Sequence, residues 1–282
     1  MKKLEFTIFI KAPKEKVWYS LWDDENYENW TTAFCDGSYA ISSWEEGSKI
    51  HFLSPSGGGM YSKISENKPF ESMVFAHIGN IDNLKELPID EETKQWTGCE
   101  ERYTLTEENV VTTLIVSVDS LEQYIDFFEG SFPKALENIK AIAENPVVKS
   151  IAVRTTIDAS VEKVWDFFSQ PEHITKWNFA SDNWHCPKAE NNLQVGGTFK
   201  YAMASKDEPI AFDFEGTYEA VEKHKRIVYK IADGRKVIVK FDILDEKVIL
   251  TEIFEPENVH SLEVQRNGWQ AILDNFKKHI NQ

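Results

Sequence analysis

Two short stretches of this sequence decide its architecture: residues 10–18 read IKAPKEKVW, and residues 157–165 read IDASVEKVW. Six of the nine positions are identical at an offset of 147 residues, and at the same offset Trp30 coincides with Trp177. A match that preserves a further tryptophan in register indicates an internal duplication. The sequence therefore predicts two copies of one domain, at about residues 1–146 and 147–282.

The carboxyl-terminal ends of the two copies also correspond, but at a shorter offset. Residues 132–140 align with residues 269–277 at an offset of 137. The ten-residue difference predicts an insertion in the first copy, and we assign it to residues 81–96, a polar, Glu-rich stretch that is expected to form a loop. The boundary is predicted near Pro146, because proline ends a helix more readily than it continues one.

The second copy has the clearer secondary-structure pattern. Short helices are predicted at residues 162–168 and 172–177, and the apolar stripe of residues 261–280 is typical of an amphipathic helix. Strand patterns occur at residues 150–157, 184–189, 198–204, 212–220, 227–232, 236–244 and 248–254. This order predicts an α+β fold, a curved antiparallel sheet of about six to seven strands around a long C-terminal helix with two short helices. Such a sheet is expected to leave an apolar cavity beneath the helix.

Composition excludes several classes of protein. The chain carries 31 basic and 47 acidic residues, a net charge of −16, whereas a nucleic-acid partner requires a basic face. No window approaches the roughly 20 apolar residues of a membrane span. Three scattered cysteines, together with an amino terminus that lacks an apolar signal segment, predict a protein of the reducing cytoplasm.

Motifs for catalysis or metal binding are missing from the sequence. It contains no Gly-x-Ser-x-Gly elbow, no phosphate-binding glycine loop and no dinucleotide fingerprint. His185 and Cys186 are adjacent, but neighbours in a strand point to opposite faces, so no metal site is predicted. His51 and His77 are interpreted as isolated histidines with a structural or solvent-exposed role. No catalytic residue and no cofactor are therefore predicted.

The motif I-x-A-[PS]-x-E-K-V-W, followed by Trp177, Gly196-Gly197 and Gly268-Trp269, resembles the START-like, or SRPBCC, superfamily. The second copy is most similar to the domain shared with activators of the ninety-kilodalton heat-shock-protein ATPase. The resemblance implies two tandem helix-grip domains and a small hydrophobic or lipid-like ligand. The first copy departs from the pattern, because Ser131-Phe132 replaces Gly-Trp and Pro133 is expected to kink or restart the terminal helix. Its pocket is therefore expected to differ in shape or to be filled.

Eight residues are predicted to line a pocket between the long helix and the sheet of each copy: Trp30, Phe132, Trp177, Phe199, Tyr201, Met203, Trp269 and Leu273. They support one leading hypothesis, a non-catalytic cytoplasmic binding protein for a small hydrophobic molecule. Two alternatives stay open. One is a cofactor that activates a chaperone ATPase through a protein partner, and the other is a cyclase- or hydrolase-like enzyme. The enzyme alternative predicts polar side chains that converge inside the cavity, and the sequence leaves the oligomeric state open.

Overall fold

The duplicated motif begins the same arrangement of strands and helices in each half of the chain. The computed structural model describes residues 1–282, and the chain folds into two compact units, Met1–Val147 and Val148–Gln282. Each unit has its own large hydrophobic core. We therefore describe the two units separately.

The first unit is an antiparallel sheet with two short helices and one long helix. Its elements in chain order are β1 (Lys2–Ile10), α1 (Lys14–Trp22), α2 (Asp24–Trp30), β2 (Tyr39–Ser42), β3 (Lys49–Leu53), β4 (Gly59–Lys68), β5 (Ser72–Asp82), β6 (Lys85–Glu86), β7 (Glu100–Glu108), β8 (Val111–Ser120) and α3 (Ile125–Glu144). The strand order is β1-β8-β7-β5-β4-β3-β2, and the short β6 pairs with the end of β5.

The second unit has the same succession of elements without the extra strand. Its elements are β9 (Ile151–Ile157), α4 (Val161–Ser169), α5 (Pro171–Trp177), β10 (Trp184–Asn191), β11 (Thr198–Ser205), β12 (Ala211–Glu222), β13 (Arg226–Ile231), β14 (Lys236–Leu244), β15 (Lys247–Phe254) and α6 (Leu262–Ile280). Its strand order is β10-β11-β12-β13-β14-β15-β9. Read from β9, this order corresponds strand by strand to that of the first sheet read from β1. The predicted α+β fold, with curled antiparallel sheets and a long C-terminal helix in each copy, is confirmed.

Local sequence features explain how the helices and turns of the second unit begin. The hydroxyl of Ser160 accepts a hydrogen bond from the backbone of Lys163 at 3.3 Å, and Ser261 caps α6 in the same way through Val264 at 3.2 Å. Gly234, at a φ of 92°, supplies the left-handed residue that the turn between β13 and β14 requires. On α6, Leu273, Phe276 and Ile280 are almost fully buried, so this stripe attaches the helix to the sheet.

Pro133 does not interrupt the long helix of the first unit, so the expected restart there was wrong. α3 continues from Ile125 to Glu144 with Pro133 on its exposed side. The neighbouring Phe132 and Leu136 are buried, and their packing holds the helix although proline removes one backbone hydrogen bond. None of the helices in either unit is long and apolar enough to cross a membrane.

Candidate ligand cavities

The first unit contains an open cavity of about 490 Å³ between α3 and the sheet, which we call the first cavity. Its volume lies within the range of small-molecule sites. Aromatic rings make up much of its wall: Trp22, Tyr27, Trp30, Phe34, Phe52, Phe75, Tyr103 and Phe132. The rings are held in place from outside the cavity. Trp30 donates its indole N–H to the carbonyl of Leu21 at 2.9 Å, and Phe132 stacks on Phe6 with ring centroids 4.8 Å apart.

Polar side chains gather around Glu101 on β7 in the wall of the first cavity. The hydroxyl of Tyr103 donates to Glu101 Oε1, and Nε2 of His77 lies 3.7 Å from Glu101 Oε2. On its other side, Nδ1 of His77 is 2.8 Å from the hydroxyl of the buried Ser62. Tyr27 lies close enough that the charge of Glu101 acts on it. A carboxyl, an imidazole and two phenols therefore share one region of the cavity wall.

Burial sets the protonation of this cluster. It lowers the pKa of His77 to about 4, so the imidazole is neutral at pH 7. Burial raises the pKa of Glu101, and the hydrogen bond from Tyr103 opposes part of that rise. Burial first, and the charge of Glu101 second, raise the pKa values of Tyr27 and Tyr103 well above 10. The cluster thus combines a neutral base with a carboxyl of raised pKa, a combination that can accept and donate protons.

The second unit contains a smaller, partly open cavity of about 220 Å³, the second cavity, between α6 and strands β11 to β13 and β15. Phe199, Tyr201 and Phe214 form part of its wall. Gly216 makes this packing possible, since a Cβ there would lie 2.8 Å from the ring of Phe199 and 2.3 Å from the carbonyl oxygen of Lys230. At the helix side, Trp269 of α6 lies over the cavity.

A chain of hydrogen bonds fixes the polar groups at one side of the second cavity. Tyr201 bonds to the hydroxyl of Tyr218, which donates to Asn191 Oδ1 at 2.6 Å. Asn191 in turn donates to the carbonyl of Ser169 at 2.6 Å. Burial raises the pKa of Tyr218 to about 12 and raises the pKa of Tyr201 well above its ordinary value, so both phenols remain neutral. Both phenolic hydroxyls and one N–H of the Asn191 amide therefore donate within the protein.

Glu252 on β15 is the acidic residue of the second cavity. It is only 4% exposed, and no hydrogen bond from the protein offsets the burial of its carboxyl. Burial alone raises its pKa to about 8, so the carboxyl is mostly protonated at pH 7. Arg235 also lines the cavity, but its guanidinium is held by Asp233 at 2.9 Å and by the carbonyl of Glu255 at 3.1 Å.

The structure places seven of the eight predicted pocket residues in cavity walls. Trp30 and Phe132 line the first cavity, and the second cavity is lined by Trp177, Phe199, Tyr201, Met203 and Trp269. Leu273 does not reach a cavity: it is completely buried in the core, where the apolar stripe of α6 packs against the sheet. A binding role for the seven remains a prediction.

Three functional candidates, His77, Glu101 and Glu252, are missing from the set predicted by sequence. His77 is bonded to Ser62, as a structural histidine would be, but it also lines the first cavity. Glu252 could have been recognised in the sequence, because it is the single charged residue in the otherwise largely apolar run VILTEIF at residues 248–254. The structure has no group of three His, Cys, Asp or Glu side chains arranged to hold a metal ion.

The fold, with a cavity beneath the long helix of each unit, defines a protein of two START-like domains. Residues 158–281 match the family model described as Activator of Hsp90 ATPase homolog 1-like protein. The solved AHSA1-like protein from Aeromonas hydrophila is 38% identical over 47% of this chain and 92% of its own, with a TM-score of 0.45. Chr148 from Cytophaga hutchinsonii is 45% identical over 46% of this chain and 90% of its own, with a TM-score of 0.43. Through its second half, the chain belongs to the Activator of Hsp90 ATPase homolog 1-like family.

Solved structures of di-domain proteins also span both units. The di-domain ARO/CYC BexL from the BE-7585A biosynthetic pathway covers 100% of this chain and 99% of its own, at 14% identity and a TM-score of 0.42. No curated protein matches the sequence.

Proposed function

We propose that this protein binds small, largely apolar molecules in the cavities between its long helices and its sheets. The observation that carries the proposal is the first cavity, whose volume of about 490 Å³ and aromatic wall have the size and character of a small-molecule site. Trp30, Phe132 and the second-unit aromatics would supply apolar contact area. The three free cysteines support a place in the reducing cytoplasm.

Native mass spectrometry of the purified full chain, followed by solvent extraction, tests the proposal. Val118→Trp would fill the first cavity and Ile272→Trp the second, because each residue lies in the corresponding wall. Ile243→Trp is the matched control, since Ile243 is 58% exposed. We expect a bound compound at near-integral stoichiometry, lost from one filled variant or the other and kept in the control.

A neutral fluorescent probe, 1-aminoanthracene, extends the test to protein that purifies empty. Saturable binding that a filled variant abolishes and the control retains would support the proposal. If no compound co-purifies and the probe shows no saturable binding that the filled variants remove, the proposal is wrong.

A second candidate function, acid–base catalysis on the bound molecule, is favoured by the cluster around Glu101. Tyr103 and His77 meet this carboxyl inside the first cavity, which is the convergence that the enzyme alternative predicts. Incubation of the extracted compound with wild-type protein and with Glu101→Gln would separate the two functions. A product formed only by the wild type, with binding retained in the variant, would support catalysis. The chaperone-cofactor alternative rests on the family description alone.

A further inference from the structure

We infer that the second cavity selects a protonated amine on a small apolar body, and that the carboxylate of Glu252 recognises the ammonium group. The inference rests on the proposed function, because it presupposes that this cavity takes a ligand. It adds the chemical class of that ligand and the residue that determines it.

The position of Glu252 is the first observation. Leu250 and Phe254, two residues away on either side along β15, face the same core and are completely or almost completely buried. A carboxyl at this place in the strand is costly to bury without a partner. The protein supplies no hydrogen bond to it, whereas a ligand in the second cavity would meet it directly.

The second observation is that neighbouring polar groups do not satisfy this carboxyl. Tyr201, Tyr218 and Asn191 donate in a chain that ends on the carbonyl of Ser169. Arg235 is engaged by Asp233 and by a backbone carbonyl. Once ionised, the carboxylate of Glu252 is an acceptor without a partner in the protein, and a ligand with several N–H donors fits it best.

The third observation is the wall around the carboxyl. Rings of Phe199, Phe214, Tyr229 and Trp269 line the same cavity, and aromatic faces attract an ammonium group as well as an apolar body. A dry cavity of about 150 Å³ holds a benzene molecule in a well-studied case, so 220 Å³ accommodates a ring with a short side chain. Arylalkylamines of the size of phenethylamine match these dimensions.

Proton linkage gives the inference a distinctive signature. The titratable or charged groups that face Glu252 are Tyr229 on β13, Arg235 after it, and the phenols of Tyr201 and Tyr218. The three phenols have raised pKa values, and α6 contributes the apolar Trp269 and Ile272 to the wall. With the pKa of Glu252 at about 8 in the empty protein, formation of an ammonium–carboxylate pair must release one proton at pH 7. Amine affinity should therefore rise about tenfold from pH 6 to pH 7 and less steeply as the pH approaches 8.

Isothermal titration calorimetry of the full chain tests this with phenethylamine and with 2-phenylethanol, its neutral analogue. We expect phenethylamine to bind more tightly, with release of nearly one proton at pH 7 measured in buffers of different ionisation enthalpy. Glu252→Gln should weaken phenethylamine roughly ten- to a hundredfold, abolish the pH slope and leave 2-phenylethanol almost unchanged. Asp213→Asn is the matched control, because Asp213 is exposed and pairs with Lys200 at 2.7 Å.

Other outcomes would overturn the inference. Equal binding of both probes, or amine binding that Glu252→Gln does not weaken, would remove the ammonium site while leaving the proposed function intact. Tighter binding of the alcohol, with affinity falling as pH rises through 8, would mean that the protonated acid acts as a donor. If neither probe binds, and if Ile272→Trp does not alter the binding of a co-purified compound, the second cavity is not a ligand site. Both proposals then fail for this cavity.

Discussion

His77 is buried as a neutral imidazole, which makes the first unit sensitive to acid. Its folded pKa of about 4 lies below the ordinary value of 6.5 because burial penalises the imidazolium. A lowered pKa contributes stability that is present above pH 6.5 and is lost as the pH falls towards 4. At about 1.4 kcal/mol per pH unit, the loss reaches roughly 3 kcal/mol.

We expect His77→Gln to remove this part of the acid sensitivity. Glutamine stays neutral at every pH, so the variant should lose roughly 3 kcal/mol less than the wild type between pH 7 and pH 4. Urea unfolding at pH 7, 5.5 and 4, monitored by tryptophan fluorescence, measures the difference. An equal loss of stability in both proteins would show that His77 is not the group responsible.

At the residue scale, the apolar part of each cavity could be predicted from sequence, whereas its charged part could not. Trp30, Trp177 and Trp269 were predicted from the repeat and from helical spacing, and all three line cavities. The inward face of a strand is harder to predict. Along a regular strand, side chains alternate between the two faces of the sheet. Register shifts between Ile64 and Glu66 and between Tyr218 and Ala220 interrupt this alternation, so it does not identify the inward-facing residues.

At the element scale, the second unit could be predicted almost completely. Apolar and polar residues alternate along its strands, and its helices α4 and α6 begin at recognisable capping residues. The predicted strand at residues 236–244 coincides with β14, and the predicted helix at 261–280 differs from α6 only at its cap. In the first unit, the stretch 81–96 was expected to be a loop. It contains the end of β5, the two-residue β6 and a 3₁₀ turn at Thr93–Gln95. Such short pieces form through pairing with β5, which a local pattern does not reveal.

The continuity of α3 through Pro133 leads to a prediction on the stability of that helix. Pro133→Ala should stabilise the first unit by about 1–3 kcal/mol, because alanine restores the hydrogen bond to the carbonyl of Glu129 and removes the ring clash there. The side chain at 133 is exposed, so no packing is lost. Urea unfolding of the full chain measures the gain.

Lys134→Ala is the control for this substitution. Lys134 is also exposed on α3, and its replacement should change the free energy of unfolding by less than about 0.5 kcal/mol. A loss of stability in Pro133→Ala would mean that the helix needs the local distortion imposed by proline.

At the scale of the whole molecule, the duplication preserved the order of the strands and changed the side chains that line the cavities. Both sheets have the same strand order, apart from β6, yet the strand glutamates that line the cavities lie on non-equivalent strands, Glu101 on β7 and Glu252 on β15. Residues 1–146 carry 13 basic and 26 acidic side chains, and residues 147–282 carry 18 and 21. The fold depends on the periodicity of apolar residues, which many sequences satisfy. The chemistry of a cavity, in contrast, changes through one or two substitutions.

The titrations of His77 and Glu252 should consequently change stability with pH in opposite directions. In the second unit, the folded pKa of Glu252 is about 8 against 4.5 for an ordinary glutamate. The native state therefore keeps a proton that the unfolded chain has lost, and stability falls as pH rises from 4.5 to 8, by up to roughly 4–5 kcal/mol. Glu252→Gln should match the wild type near pH 4.5 and exceed it by a few kcal/mol at pH 8.

The double variant His77→Gln/Glu252→Gln tests whether the units act independently. The two residues belong to separate units, each with its own core, so their effects on the free energy of unfolding should add within about 0.5 kcal/mol at every pH. The double variant should then show the flattest dependence of stability on pH between 4.5 and 8. Urea unfolding of the four proteins at several pH values completes the cycle. A coupling energy well above that margin would contradict independent effects of the two residues.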